Sequence, residues 1–366
     1  MKFKCLFLAC LILSVSPLVG CNRNNDRIPV YFETTPTPDP TPAPTPTPLP
    51  RPTPEPTEDL TGKARSVFTG IYIDEEIASR RPVAVVINNY RRAIPQSGIG
   101  SADIHFEVLA EGDITRIVSV FQSESSENIG PVRSTRNYFT DFAFCSDAIL
   151  VHHGGSPQGY ESIRRFSLNN LDGMRLEGTT FWRDPERRAN RGMEHSSMTA
   201  VSLIMEAAEK AGYRMELSED YTPMWNFFTR FTIPYGGHFS NRVVVPFSQS
   251  QRSTFVYDFR TREYRRYQGD VPHIDEETGE QLTFTNILVQ LTRIIVIDAV
   301  GRRQVDLVGS GNGYLITAGH YIPVTWRKES IDSPTQWFDE QGNPLRLNRG
   351  RTWICVFSEN GTVIFE

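Results

Sequence analysis

Cysteine is scarce in this 366-residue chain. The five that occur, Cys5, Cys10, Cys21, Cys145 and Cys355, form no CxxC pair and no Cys/His cluster with zinc spacing. That removes structural zinc domains and thioredoxin-like redox chemistry from consideration. Charge of one sign is not in large excess. The net charge is −5, and taking away Lys2 and Lys4, two positive charges, leaves −7. An acidic balance of this size argues against bulk nucleic-acid binding, and no nucleic-acid partner is expected. Long apolar runs are also missing. The most hydrophobic stretch, LFLACLILSV at residues 6–15, is shorter than the roughly 20 residues a mature membrane-spanning helix requires.

That short run follows Met-Lys-Phe-Lys and leads into small residues, the order of an export signal over residues 1–20. Residues 18–21, LVGC, resemble a bacterial lipobox, which implies that Cys21 is lipidated and becomes the first mature residue. The protein is therefore expected to be exported and lipid-anchored to the outer face of the cytoplasmic membrane, with the membrane itself as one partner. With Cys5 and Cys10 lost in the leader, Cys145 and Cys355 remain, each inside an apolar run (FAFCSD and TWICVF), and both are expected to be buried free thiols. Residues 21–62 read as a linker. Proline occupies every even position from Pro36 to Pro56, which fixes φ and pushes each preceding residue to extended geometry. At about 3.1 Å per residue, a polyproline II spacer of this length reaches ~65 Å.

Residues 63–366 have ordinary globular composition and enough length for two domains. The expected class is α+β. A mixed α/β domain spans 63–225 and a mostly antiparallel β domain spans 226–366. In the first, RPVAVVINN (81–89) and DAILVHH (147–153) read as strands. ADIHFEVLA (102–110) alternates, with Ile104, Phe106 and Val108 on one face and Asp103, His105 and Glu107 on the other, the second set expected to face solvent. ITRIVSVF (114–121) should complete a hairpin through Glu111-Gly112-Asp113, and residues 196–213 carry helical spacing that ends at Gly212. In the second, short β-branched runs such as NILVQL, GYLITAG and TWICVF alternate with turn signals, and GSGNG (309–313) reads as a hairpin turn rather than a dinucleotide fingerprint, because no helix follows it.

The stretch GPVRSTRNYFTDFAFCSDAILVHHGGSP (130–157) concentrates the chemistry. HGGSPQG approaches a nucleophile elbow, but the last glycine falls one position late and Pro157 lacks the N–H that the oxyanion hole needs. Ser156 is better read as a helix N-cap with Pro157 at the first helical position. A divalent-metal cluster is conceivable from Asp103, His105, Glu107 and His152, although no cofactor is required. Arginine supplies a third chemistry. Arg133 and Arg136, with Arg183, Arg187 and Arg188 from FWRDPERRANRGMEHSS (181–197), are candidates for an anion site, since guanidinium groups match phosphate and carboxylate oxygens. His195 in that segment, and His273 and Asp275 in PHIDEETGEQ (272–281), mark two further candidate loops. For the latter, a turn fixed by the aspartate and Gly279 is the simpler reading.

Taken together, RPVAVVINNYRRAIPQSGIGSADIHFEVLAEGDITRIVSVFQS, IGPVRSTRNYF and VHHGGSP resemble the amino-terminal domain of YerB-like bacterial lipoproteins, and VPHIDEETGEQLTFTNILVQ, DLVGSGNGYLITAGHYIPVTW and RTWICVF their carboxy-terminal domain. The resemblance implies a two-domain, lipid-anchored surface protein and no particular activity, the family being one of unknown function. The chain departs from it at MEHSS (193–197), where a Pro-His-Asn run is expected. The layout is also similar to LytR-CpsA-Psr domains, which would place Asp103 near a metal or phosphate and Arg133, Arg136 and Arg183 near the anion. The leading expectation is a non-catalytic envelope protein that binds a cell-wall polymer or another envelope protein through an arginine-rich site. The alternatives are a phosphotransferase acting on a lipid-linked precursor and a pure docking scaffold. The catalytic residues, if any, are unknown.

Overall fold

The computed structural model describes residues 59–366; the expected export signal, Cys21 and the proline tract of the expected linker lie outside them. An eleven-stranded mixed sheet organises the described chain. From one edge, its strands run His238–Phe239, His320–Lys328, Gly309–Thr317, Asn286–Thr292, Thr352–Ser358, Ile104–Glu111, Ile114–Phe121, Val83–Asn88, Ile149–His152 and Asn170–Asp172, with Gln336–Phe338 pairing beside His320–Lys328. The strand Thr352–Ser358, near the end of the chain, lies parallel to both Asn286–Thr292 and Ile104–Glu111. The two sequence halves are thus hydrogen-bonded into one sheet. The described residues form a single compact unit.

Alternation decides what each face of this sheet buries. Ile104, Phe106 and Val108 point to the face covered by helices Phe139–Cys145 and Pro157–Arg165, where Phe106 stacks on Phe142 with ring centroids 4.6 Å apart. His105 and Glu107 point the other way, and there the expectation of a solvent-facing edge is wrong: both are fully buried. A second sheet covers them, built of strands Arg242–Pro246, Arg252–Asp258 and Glu263–Gln268 with the short strands Val271–Pro272, Thr283–Phe284 and Ile364–Phe365. Val243, Val245, Phe255 and Tyr264 from this second sheet share a core with Ile287, Val289 and Trp353 of the main sheet. Helix Val201–Lys210 joins the same core through Val201, Ile204 and Ala208. Each large apolar side chain buried in this way contributes about 1.5–3 kcal/mol.

Several local expectations hold. Ile104–Glu111 and Ile114–Phe121 form the hairpin. Ser156 caps helix Pro157–Arg165 by accepting the Gly159 N–H at 3.0 Å, with Pro157 in the first turn. Gly212, at φ +71°, ends the preceding helix. Cys145 and Cys355 are buried free thiols.

Two further expectations fail. The helix expected from residue 196 begins at Val201, because Ser197–Thr199 pairs as a strand with Phe181–Arg183. GSGNG is the start of strand Gly309–Thr317, paired with His320–Lys328, and not a turn. Its glycines allow close approach of neighbours: a Cβ on Gly311 would sit 2.7 Å from the Trp326 indole nitrogen, and one on Gly313 would sit 2.3 Å from the Val289 carbonyl.

Candidate anion-binding site

Strands Val83–Asn88, Ile149–His152 and Asn170–Asp172 run parallel. Ligands in open α/β sheets gather at the carboxyl ends of such strands. Here the chain leaves His152 through His153, Gly154 and Gly155 to the Ser156 cap, and a cleft of about 500 Å³ opens against this turn. Arg133, Ser134, His153, Tyr160, Arg183 and Glu194 contribute to its lining.

The backbone holds Arg133 firmly. Its N–H donates to the Val86 carbonyl at 2.8 Å, and its carbonyl accepts from His153 N–H at 3.0 Å. Its side chain is another matter. The half-buried guanidinium has no ion-pair partner among the described residues, and its Nε is buried without a hydrogen-bond acceptor. Burial pulls its pKa down, with nearby Arg136 and Arg183 pulling the same way and Glu111 and Glu194 opposing. Behind it, Glu111 accepts from Arg116 at 2.5 Å and from Arg136 at 3.1 and 2.6 Å. Among the described residues Glu111 is the single carboxylate in a salt bridge with Arg116, Arg133 and Arg136, three guanidiniums to one carboxylate, and exposed Glu194 adds a further negative charge near Arg133.

Arg183 forms the opposite wall. It donates to Glu177 at 3.1 Å, to the Met193 carbonyl at 2.9 Å and to His153 Nε2 at 2.7 Å. A guanidinium only donates, so His153 Nε2 must carry a lone pair and Nδ1 the proton, which it gives to Ser197 Oγ at 2.8 Å. His153 is therefore neutral as it stands. Burial, then the adjacent Arg183 charge, lower its pKa.

The other candidates are placed as follows. Arg136 is buried and committed to Glu111. Arg187 is buried and donates to the Ala93 carbonyl and to Glu276, which also accepts from Arg191. Arg188 is exposed and lies outside the cleft lining. His152 hydrogen-bonds the Gly154 carbonyl at 2.8 Å, with Asp172 at 3.8 Å. His195 is buried against Tyr90, and its Nδ1 accepts from Asn88 at 2.8 Å. Its pKa is lowered, chiefly by burial.

Asp103, His105, Glu107 and His152 do not assemble. Two strands separate Ile104–Glu111 from Ile149–His152, and among the described residues no group of three metal-ligating side chains meets. Nor does Asp103 share the arginine cleft; it lines a different one.

Glu107 and His273 instead belong to a closed hydrogen-bond ring between the sheets. Arg266 donates to Glu107 at 3.0 Å and to His273 Nδ1; His273 Nε2 donates to Gln96 at 2.5 Å; Gln96 donates to Asn89 at 3.0 Å; and Asn89 donates to Glu107 at 3.0 Å. Ser253 and the Trp353 indole complete the shell around Glu107, at 2.6 and 3.1 Å. His105 stacks on Trp353 at 4.7 Å and bonds Ser119 at 2.9 Å. Asp275 fixes its loop across the halves by accepting from Gly98 and Gly100 N–H at 2.9 and 2.6 Å. Arg266 stands in no motif of the sequence. The available signal was a charged residue on the same face of EYRRYQ as Tyr264.

The chain as a whole falls in a known class. Residues 68–214 match the N-terminal domain, and residues 243–354 the C-terminal domain, of the protein family of unknown function DUF3048, and the chain belongs to that family. A Bacillus subtilis (strain 168) relative bearing the name "Putative lipoprotein YerB" is 35% identical over 302 residues, covering 81% of this chain and 87% of its own. The crystal structure of YerB protein from Bacillus subtilis superposes with a TM-score of 0.73 at 32% identity, covering 82% of this chain and all of that one.

Proposed function

We propose that the protein is a lipid-anchored binding protein of the cell envelope that captures a phosphate-bearing wall component in the cleft between Arg133 and Arg183. The observation that carries this reading is the Arg133 guanidinium. It is half-buried, lacks an ion-pair partner among the described residues, and sits in a cluster with excess positive charge. Such a group is costly to keep unless something anionic pairs with it. Arg183 faces the same cleft, and phosphate is the natural bidentate partner of two guanidiniums. The anchor is supported by LVGC at residues 18–21 and by the name of the Bacillus subtilis relative.

Calorimetric titration of the purified protein with inorganic pyrophosphate tests the site. A charge-assisted hydrogen bond contributes about 1.5–3 kcal/mol, so Arg133→Gln should weaken binding by roughly 10- to 100-fold. Arg188→Gln, outside the cleft, should leave it unchanged. Equal affinity in Arg133→Gln and the parent protein would overturn the assignment. The anchor is tested separately: a radiolabelled fatty acid fed to expressing cells should label the parent protein and not Cys21→Ala, and label persisting in the variant would refute lipidation at that residue.

A further inference from the structure

We infer that a second cleft, at the amino-terminal end of strand Ile104–Glu111, binds a small zwitterion of the α-amino-acid class, ammonium toward Asp103 and Glu124 and carboxylate toward Arg349 and Arg351. The cleft, of about 430 Å³, is large enough for a free amino acid or a dipeptide. Its charged lining is mixed in sign, with Asp103, Glu124 and Glu263 set against Arg262, Arg349 and Arg351.

None of these six has an ion-pair partner among the described residues, although arginines elsewhere pair readily, as Arg214 does with Asp147 and Arg242 with Glu366. Arg349 donates from Nε to the Phe228 carbonyl at 3.2 Å and from Nη2 to the Thr229 carbonyl at 2.9 Å, and among the described residues its Nη1 donates to nothing. Arg351 donates to the Gly100 carbonyl and reaches Thr283 Oγ1 at 3.5 Å. The hydrogen bonds of both thus go to neutral acceptors, and neither pairs with a carboxylate among the described residues.

Asp103 is the counterpart. It is only 2% exposed. Its Oδ2 accepts from the Gln122 and Ser123 N–H groups at 2.8 and 2.9 Å, while Oδ1 accepts no bond among the described residues. The neighbouring Ser123 hydroxyl favours the charged carboxylate and has no other partner among the described residues. Burial raises the Asp103 pKa, with Glu124 adding to it and the Ser123 and Gln122 hydrogen bonds opposing, and Arg80 is the nearby cation. Opposite charges that line one cleft and do not pair are separated by more than a salt bridge, and a ligand carrying both charges spans that gap. Ile71, Ile73 and Phe231 add an apolar wall, which favours an aliphatic side chain over a polar one.

The test is a melting-temperature and calorimetric comparison of the purified protein with leucine, alanine in both hands and dialanine. Leucinamide, which lacks the carboxylate, and 4-methylvalerate, which lacks the ammonium, serve as controls. At least one zwitterion should bind, and both singly charged controls should bind at least about tenfold more weakly. Glu124→Gln is an exposed change that leaves the fold intact, and Asp103→Asn keeps the shape of the buried side chain. Both should reduce zwitterion affinity, whereas Arg133→Gln should not. The inference is overturned if no member of the panel binds, if a singly charged control binds as well as its zwitterion, or if Glu124→Gln and Asp103→Asn bind like the parent protein.

Discussion

Arg266→Ala should destabilise the protein by about 3–5 kcal/mol, the range for removing one partner of a buried ion pair. Both Arg266 and Glu107 are completely buried, with 3.0 Å between Nη2 and Oε2. The guanidinium also lies over the Trp353 ring at 4.1 Å. Without Arg266, Glu107 keeps its bonds from Asn89, Thr115, Ser253 and Trp353 but loses its counter-charge, and His273 loses the donor that holds Nδ1 as an acceptor. The ring joins residues 89, 96 and 107 to residues 266 and 273, so the loss is felt across both halves of the chain. Equilibrium urea unfolding should show a large fall in midpoint. The double variant Arg266→Met/Glu107→Leu should be less destabilised than the sum of its single changes, since it removes the orphaned charge as well. A single-variant loss below about 1 kcal/mol would mean the pair is dispensable.

Stability should fall as pH drops below about 6.5, the ordinary histidine value. His105 and His273 are fully buried, and burial carries both pKa values well below 6.5, with Arg351 and Arg266 adding to the effect at His105 and Arg266 and His105 at His273. The sign follows from proton uptake. Between their folded and unfolded pKa values, the unfolded chain binds protons that the native protein refuses, so stability is complete above 6.5 and is lost on acidification. Each such histidine contributes about 1.4 kcal/mol per pH unit.

Asp141 acts in opposition. Burial pushes its pKa up to about 7, with Lys328 pulling it back only in part. Native Asp141 therefore takes up a proton over the same window and cancels about one histidine. The net expectation is a loss of roughly 1 kcal/mol between pH 6.5 and 5.5, read from urea midpoints at constant ionic strength. Asp141→Asn should steepen it. A flat profile in both proteins would contradict the buried, neutral state of His105 and His273.

What the sequence disclosed was mainly local. Ser156 and Pro157 announce a helix start because a cap is made within three residues. The alternation in IHFEVLA sorted side chains to the correct faces. It did not reveal that the polar face is covered, because the cover arrives from strands beyond residue 240. The arginines show the same limit. Arg133 and Arg136 look equivalent three positions apart, yet Glu111, 25 residues before Arg136, claims one and leaves the other without a salt bridge among the described residues. Likewise, glycines that read as a turn in GSGNG serve a strand, for a reason held by Trp326 and Val289. Pairings between distant segments decide which charged residues are structural and which are available to a ligand.

The most direct test of the anion site is a crystal structure of the protein soaked in inorganic pyrophosphate. The anion is expected between Arg133 and Arg183 at the turn after His152, with Arg133 donating to its oxygens and Arg136 still bound to Glu111. Pyrophosphate bound elsewhere over an empty cleft, or Arg133 paired with a carboxylate of the protein itself, would contradict it.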